Sequence, residues 1–110
     1  MSFPLDPDKV AEELSKRGKA WAELNAAYQA LDDATKSVLS DIAGKQNDGS
    51  EASKERAARA SQEYRDHLHA LADARTKAAI AKINYDVFQV WIDMKRSEAS
   101  YTKAEMGLGR

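Results

Sequence analysis

Between Gly49 and Gly107 the chain contains neither proline nor glycine, and its only prolines, Pro4 and Pro7, stand together near the N-terminus. A stretch of that length with no helix breaker leaves little room for a sheet protein with frequent turns. The punctuation predicts an all-α chain of one domain, residues 1–110, folded as a long antiparallel two-helix hairpin. Helix 1 is expected over about 7–43, a turn over 44–49, and helix 2 over about 50–106. Asp6 is placed to cap the first helix, Pro7 suits its first position, and Asp8 complements the positive end of the helix dipole. Gly44 is expected to end it in the left-handed conformation. The polar run Lys45-Gln-Asn-Asp-Gly49 is the turn, and Asp48 or Ser50 caps the second helix.

Within the first helix, the series Val10, Leu14, Arg17, Trp21, Leu24, Tyr28, Leu31, Thr35, Val38, Ile42 recurs at alternating steps of three and four, and eight of its ten members are apolar or aromatic. That is the seam of a coiled coil rather than a broad core-facing stripe. The matching series on the second helix is Ala57, Ala60, Tyr64, His67, Leu71, Ala74, Ala78, Ala81, Tyr85, Phe88, Ile92. Its middle is nearly all alanine, so large residues of one helix face small residues of the other and the axes approach closely. About 20 of the 110 residues are alanine, and only two Phe and two Trp are present. Such a composition suits helix on helix better than a compact globule. Gly18 costs roughly 1 kcal/mol against alanine inside a helix, and its place beside the seam leaves room for a bulky neighbour such as Trp21 from another helix.

A turn centred near residue 47 would pair residue i with a residue near 94 − i. The second helix then overhangs the first by about 18 residues, or about 27 Å at about 1.5 Å per residue. The overhang and the residues just before it hold Val87, Phe88, Val90, Trp91, Ile92, Met94 and Tyr101, the most hydrophobic stretch of the chain. An exposed apolar patch of this kind marks an interface. These residues are therefore expected to pack on another copy, giving a homo-oligomer, or on a partner protein.

Charge is uneven although the net is only −1. Residues 1–48 carry 6 basic and 9 acidic groups, and residues 75–110 carry 7 basic and 4 acidic groups. Lys95, Arg96, Lys103 and Arg110, interleaved with aromatics, are candidate contacts for single-stranded nucleic acid, by phosphate neutralisation and base stacking. The same basic end could instead dock on the acidic first helix of another subunit.

Chemistry of other kinds finds little footing. The chain has no cysteine, which excludes disulfides, thiolate metal sites and a thiol nucleophile. His67 and His69 point about 200° apart on a helix and cannot share a metal; Glu63 and His67 share a face, but two ligands do not make a site. Glu12, Glu13, Asp32 and Asp33 form adjacent pairs that diverge on a helix, with no pocket to tune them. There is no phosphate-binding glycine loop and no nucleophile motif. The expectation is a non-enzyme with no catalytic residue, no metal, no cofactor and no small-molecule substrate. No secretory signal and no membrane-length apolar run is visible, so a cytoplasmic location is expected.

Two resemblances bear on role. Tyr101-Thr-Lys-Ala-Glu105 resembles the Tyr-x-x-x-Asp/Glu signal of small helical-hairpin substrates of type VII secretion, whose turn usually carries Trp-x-Gly; the turn here lacks it, and the same spacing recurs at Tyr28 to Asp32. Three further stretches carry the second resemblance: Leu31 to Leu39, Tyr64 to Leu68 with Ala72 to Arg75, and Tyr85 to Trp91 followed by Arg96 to Ala99 and Ala104 to Arg110. With these, the chain resembles a group of small helical proteins of tailed bacteriophages and prophages, encoded among DNA recombination and replication genes. That resemblance implies a phage accessory protein of the host cytoplasm that assists recombination or replication through protein contact and single-stranded DNA. The alternatives are an inhibitor that binds a host defence protein or host enzyme, and a small secreted hairpin.

Overall fold

The computed structural model describes residues 6 to 108. Three helices follow one another: α1 (Pro7–Gly44), α2 (Glu51–Arg59) and α3 (Gln62–Leu108), with no strand among the described residues. The all-helical class is the expected one. The start of α1 is also as expected: Asp6 Oδ1 accepts the Asp8 N–H at 3.0 Å, and the Asp6 carbonyl accepts the Val10 N–H at 3.0 Å.

The other end of α1 differs from expectation. Gly44 is its last residue and is not left-handed; Gly49, with φ 107°, is the only described residue that is. The N–H groups of Lys45 and Gln46 bond to the carbonyls of Ile42 and Ala43 at 3.2 and 3.1 Å, a tightened last turn that satisfies them without a left-handed cap. Gly49 instead turns the chain into Ser50, whose hydroxyl accepts the Ser53 N–H at 3.2 Å and starts α2.

The expected continuous second helix is two helices. The break at Ala60 and Ser61 involves neither proline nor glycine, and its cause is local hydrogen bonding. Ser61 Oγ donates to the Ala58 carbonyl at 2.6 Å and accepts the Tyr64 N–H at 3.2 Å, and Arg65 donates to the Ala60 carbonyl at 3.0 Å. One serine thus closes α2 and caps α3, leaving few backbone groups in want of a partner.

The chain packs as two compact units, one made of the residues up to Trp21 with those from Ile80 onward, the other of Ala22–Ala79. In the second unit Ile42, Ala58 and Ala78 are buried. Thr35 meets His67 at 2.9 Å, Arg75 donates to the Tyr28 hydroxyl at 3.3 Å and stacks over its ring, and Lys45 pairs with Glu63 at 3.1 Å. In the first unit Ala81, Phe88 and Ile92 are buried. Trp21 stacks on Tyr85 with centroids 6.2 Å apart, and Tyr85 lies over Gly18, where an added Cβ would stand 3.3 Å from the ring. The neighbour admitted by Gly18 is therefore Tyr85 rather than Trp21.

All ten members of the α1 series are buried or half-buried, as are the α3 members from Tyr64 to Ile92. Ala57 and Ala60 are exposed and Ala58 takes their place, because the break at Ser61 shifts the helical phase. The register moves for the same reason. A 94 − i pairing would have set Thr35 against Arg59 and Trp21 against Asp73, yet Thr35 meets His67 and Trp21 meets Tyr85. α2 and its flanking turns add length between the paired parts, so in each unit α1 meets a part of α3 further along the chain. Pro7 and Val10 line a shallow depression with Ile92 and Arg96, not with Val87 and Phe88. The expected overhang is shortened accordingly, and Phe88 and Ile92 lie in the core of the first unit.

Two substitutions check these local causes. Gly49→Ala forces a left-handed alanine with its Cβ 3.2 Å from Ser53, and is expected to lower unfolding free energy by about 1–2 kcal/mol in denaturant titrations. Ser61→Ala removes the shared cap and is expected to cost about 1 kcal/mol, with loss of amide-exchange protection concentrated at the first turn of α3.

Candidate interaction surface

Beyond Ile80, α3 is apolar on two opposite sides. Its inward stripe is Ala81, Tyr85, Phe88 and Ile92, all buried or half-buried. Two residues after each member stands an exposed one: Ile83, Val87, Val90 and Met94, with exposures of 57 to 59%. A step of two residues is about 200° around a helix, so the second stripe faces away from the first. Ile80, at 53%, heads it, and Tyr101, at 67%, continues it one heptad past Met94. Both stripes keep the alternating three- and four-residue steps of a coiled-coil seam. Scattered exposed apolar residues are ordinary, but a continuous stripe of them at seam spacing is not.

The residues expected at an interface are thus divided by the structure. Val87, Val90, Met94 and Tyr101 are together on the exposed side. Phe88 and Ile92 are buried, and Trp91 is half-buried, stacked on Phe88 with centroids 5.7 Å apart. Ile80 and Ile83 belong to the stripe but were not singled out from the sequence. The signal was present as a second series displaced by two residues from the seam, hidden because the seam itself accounted for the heptad pattern.

The inward stripe is fixed by a polar clamp. Arg17 is the one charged member of the α1 series, and its guanidinium lies 4.6 Å from the centroid of the Phe88 ring. It donates to the Asn84 carbonyl at 3.1 Å and to Glu13 at 2.7 Å. The hydrogen bond from Arg17 holds the Glu13 carboxyl below its ordinary value of 4.5, with the charges of Arg17 and Lys16 adding to it. Lys82 stands over the Trp21 ring, 5.6 Å from its centroid. Aromatic faces and cations alternate along this contact, so the polar groups complement the packing instead of interrupting it.

Of the candidate nucleic-acid contacts, Lys95 and Lys103 line one shallow depression with Ala99, Thr102 and Met106. Arg96 lines a different one, with Pro7 and Val10, and Arg110 lies outside the described residues. Lys95 pairs with Glu98 at 3.2 Å and sits 5.9 Å from the Trp91 ring, which offsets part of the positive charge there. His67 is engaged by Thr35: its Nε2 and the threonine hydroxyl are hydrogen-bonded at 2.9 Å, and the same hydroxyl lies 3.1 Å from the Leu31 carbonyl. Glu63 turns to Lys45. Among the described residues no group of three or more His, Asp or Glu is placed to hold a metal ion, and no helix is long and apolar enough to cross a membrane.

Compared with known proteins, the chain matches no family model, no curated protein and no solved structure.

The lowered Glu13 value fixes a sign. A carboxylate depressed in the folded state stabilises it above its unfolded pKa and loses that effect as the pH falls through the folded value. Glu13→Gln is therefore expected to melt slightly below the parent at neutral pH. The gap should close as the pH drops well below 4.5, as followed by circular dichroism melts; a gap that persists in acid would show that the carboxylate is not its source.

Proposed function

We propose that this protein is a non-enzymatic contact protein, built as an antiparallel helical hairpin and working through the exposed apolar stripe of α3. The stripe is the observation that carries the proposal. Five side chains from Ile80 to Met94 stand more than half exposed at seam spacing, and burying each against a partner helix would add stabilisation of about 1 kcal/mol or more. The hairpin is supported within each unit by partners that run in opposite order along the two helices, as Arg17 with Phe88 and Trp21 with Tyr85, or Tyr28 with Arg75 and Thr35 with His67. The partner is a protein: another copy of this chain first, and a phage or host protein as the alternative.

A role beside single-stranded DNA is the second reading. It is favoured by the placing of Lys95 and Lys103 on one depression and by the resemblance to phage proteins of recombination and replication. Its electrostatic basis is thin, because Glu98 answers Lys95 at the same place and few free phosphates could be neutralised.

A photo-crosslinking residue placed at Val90 in bacterial cells producing the protein separates the two. A discrete protein adduct at Val90, absent when the same residue replaces Lys9, is the expected result. It should be accompanied by no change in anisotropy of a labelled single-stranded oligonucleotide at physiological salt. No adduct at Val90, together with tight and salt-sensitive oligonucleotide binding lost in the Lys95→Ala/Lys103→Ala variant, would replace protein contact with DNA contact.

A further inference from the structure

The exposed stripe continues past Met94. After the large residues Ile80, Ile83, Val87, Val90 and Met94, the next positions at the same spacing are Ser97, Tyr101 and Ala104, the last three also exposed. The first half of the stripe is bulky and the second half alternates small with large. A bulky half and a partly small half on one helix are complementary to each other when a second copy lies against it in the opposite direction.

Resting on the contact surface proposed above, we propose that the occupant of the stripe is the same stripe of a second copy, in an antiparallel, two-fold symmetric pairing of α3 centred at Ile92. In that register Val90 packs on Met94 of the partner subunit. Val87 meets a serine, at position 97, and Ile80 meets an alanine, at position 104. Ile83 lies against a tyrosine, at position 101, so that each large residue of the first half has a partner of fitting size. The pairing extends over about 36 Å of helix and covers every exposed large apolar residue from Ile80 to Tyr101.

The charges on either side of the stripe favour this direction over its reverse. Asp86 and Asp93 flank it on one side, and Asn84, Trp91 and Glu98 on the other. In a parallel, in-register pair the flanks cross, and Asp93 would abut an equivalent of Glu98 twice over, in competition with the Lys95 that already pairs with that Glu98. In the antiparallel pair each flank meets itself in reverse. Asp86 comes beside a serine at position 100 and Glu98 beside an asparagine at position 84, both of which can donate a hydrogen bond. Of the acidic groups only Asp93 approaches its own copy, and on the opposite side of the axis Trp91 meets its own copy. Symmetry also makes the interface self-closing, so a dimer forms rather than a fibre.

The absence of native cysteine makes the geometry directly testable on the full chain. Val87→Cys and Ser97→Cys, prepared separately, mixed and oxidised, are expected to give a disulfide-linked heterodimer, while Val87→Cys alone gives little product. Sedimentation of the unmodified protein should show a dimer, and Val87→Asp, which leaves the inward stripe untouched, should sediment as a monomer of unchanged helicity. Efficient crosslinking of Val87→Cys alone would overturn the antiparallel pairing in favour of a parallel one. A monomer at every concentration would overturn self-association, and a protein adduct at Val90 in cells would then still uphold the contact surface with a different occupant.

Discussion

Close approach between helices that own little apolar bulk is the constraint on which this structure depends. Among the described residues, six are buried to below a tenth of their surface, and three of these are Ala58, Ala78 and Ala81. Alanine contributes little transfer free energy of its own, so its value lies in letting a neighbouring backbone come near. Gly18 does the same for Tyr85. Stability is then spread over many half-buried residues, and Arg17, Thr35 and His67, the polar non-aromatic members of the two seam series, are each given a partner. No polar side chain is fully buried among the described residues, so the contact avoids the desolvation of unpaired groups.

Much of this was legible from the order of residues. The alternating series from Val10 to Ile42 marks the buried side of α1 without exception, because a period of three and four is imposed by the helix itself. The series on α3 holds from Tyr64 onward for the same reason. The break before α3 was not legible from breaker residues, since Ala60-Ser61-Gln62-Glu63 contains none. What made it was the capacity of one serine to serve as donor to one helix and acceptor for the next. Serine followed by Gln-Glu is a start signal for a helix, but it lay inside a stretch that already read as helical. The missed break displaced the register, and the displaced register put Phe88 and Ile92 on the wrong side of the surface.

The candidate surface was half legible for a related reason. Apolar content from Val87 to Met94 pointed to the right segment, but a helix that is apolar on two sides has no single amphipathic direction. Val87 and Phe88 are adjacent in sequence and about 100° apart around the helix, yet the first is exposed and the second buried, and Val90 is exposed where Trp91 is half-buried. Only the placement of α1 distinguishes the residues it covers from those left for another molecule. Composition can therefore announce that an interface exists while assigning some of its members to the wrong side.

The two tryptophans occupy different stations in this arrangement. Trp21 is stacked on Tyr85 within the contact between α1 and α3, with Lys82 over its ring. Trp91 is stacked on Phe88 beside the outward stripe, with Lys95 over it. Their indoles consequently sample unlike surroundings, one internal to the fold and one at the margin of its free side. The protein thus carries two optical reporters of its own, and its emission spectrum can follow loss of internal packing and occupation of the outer surface as separate events.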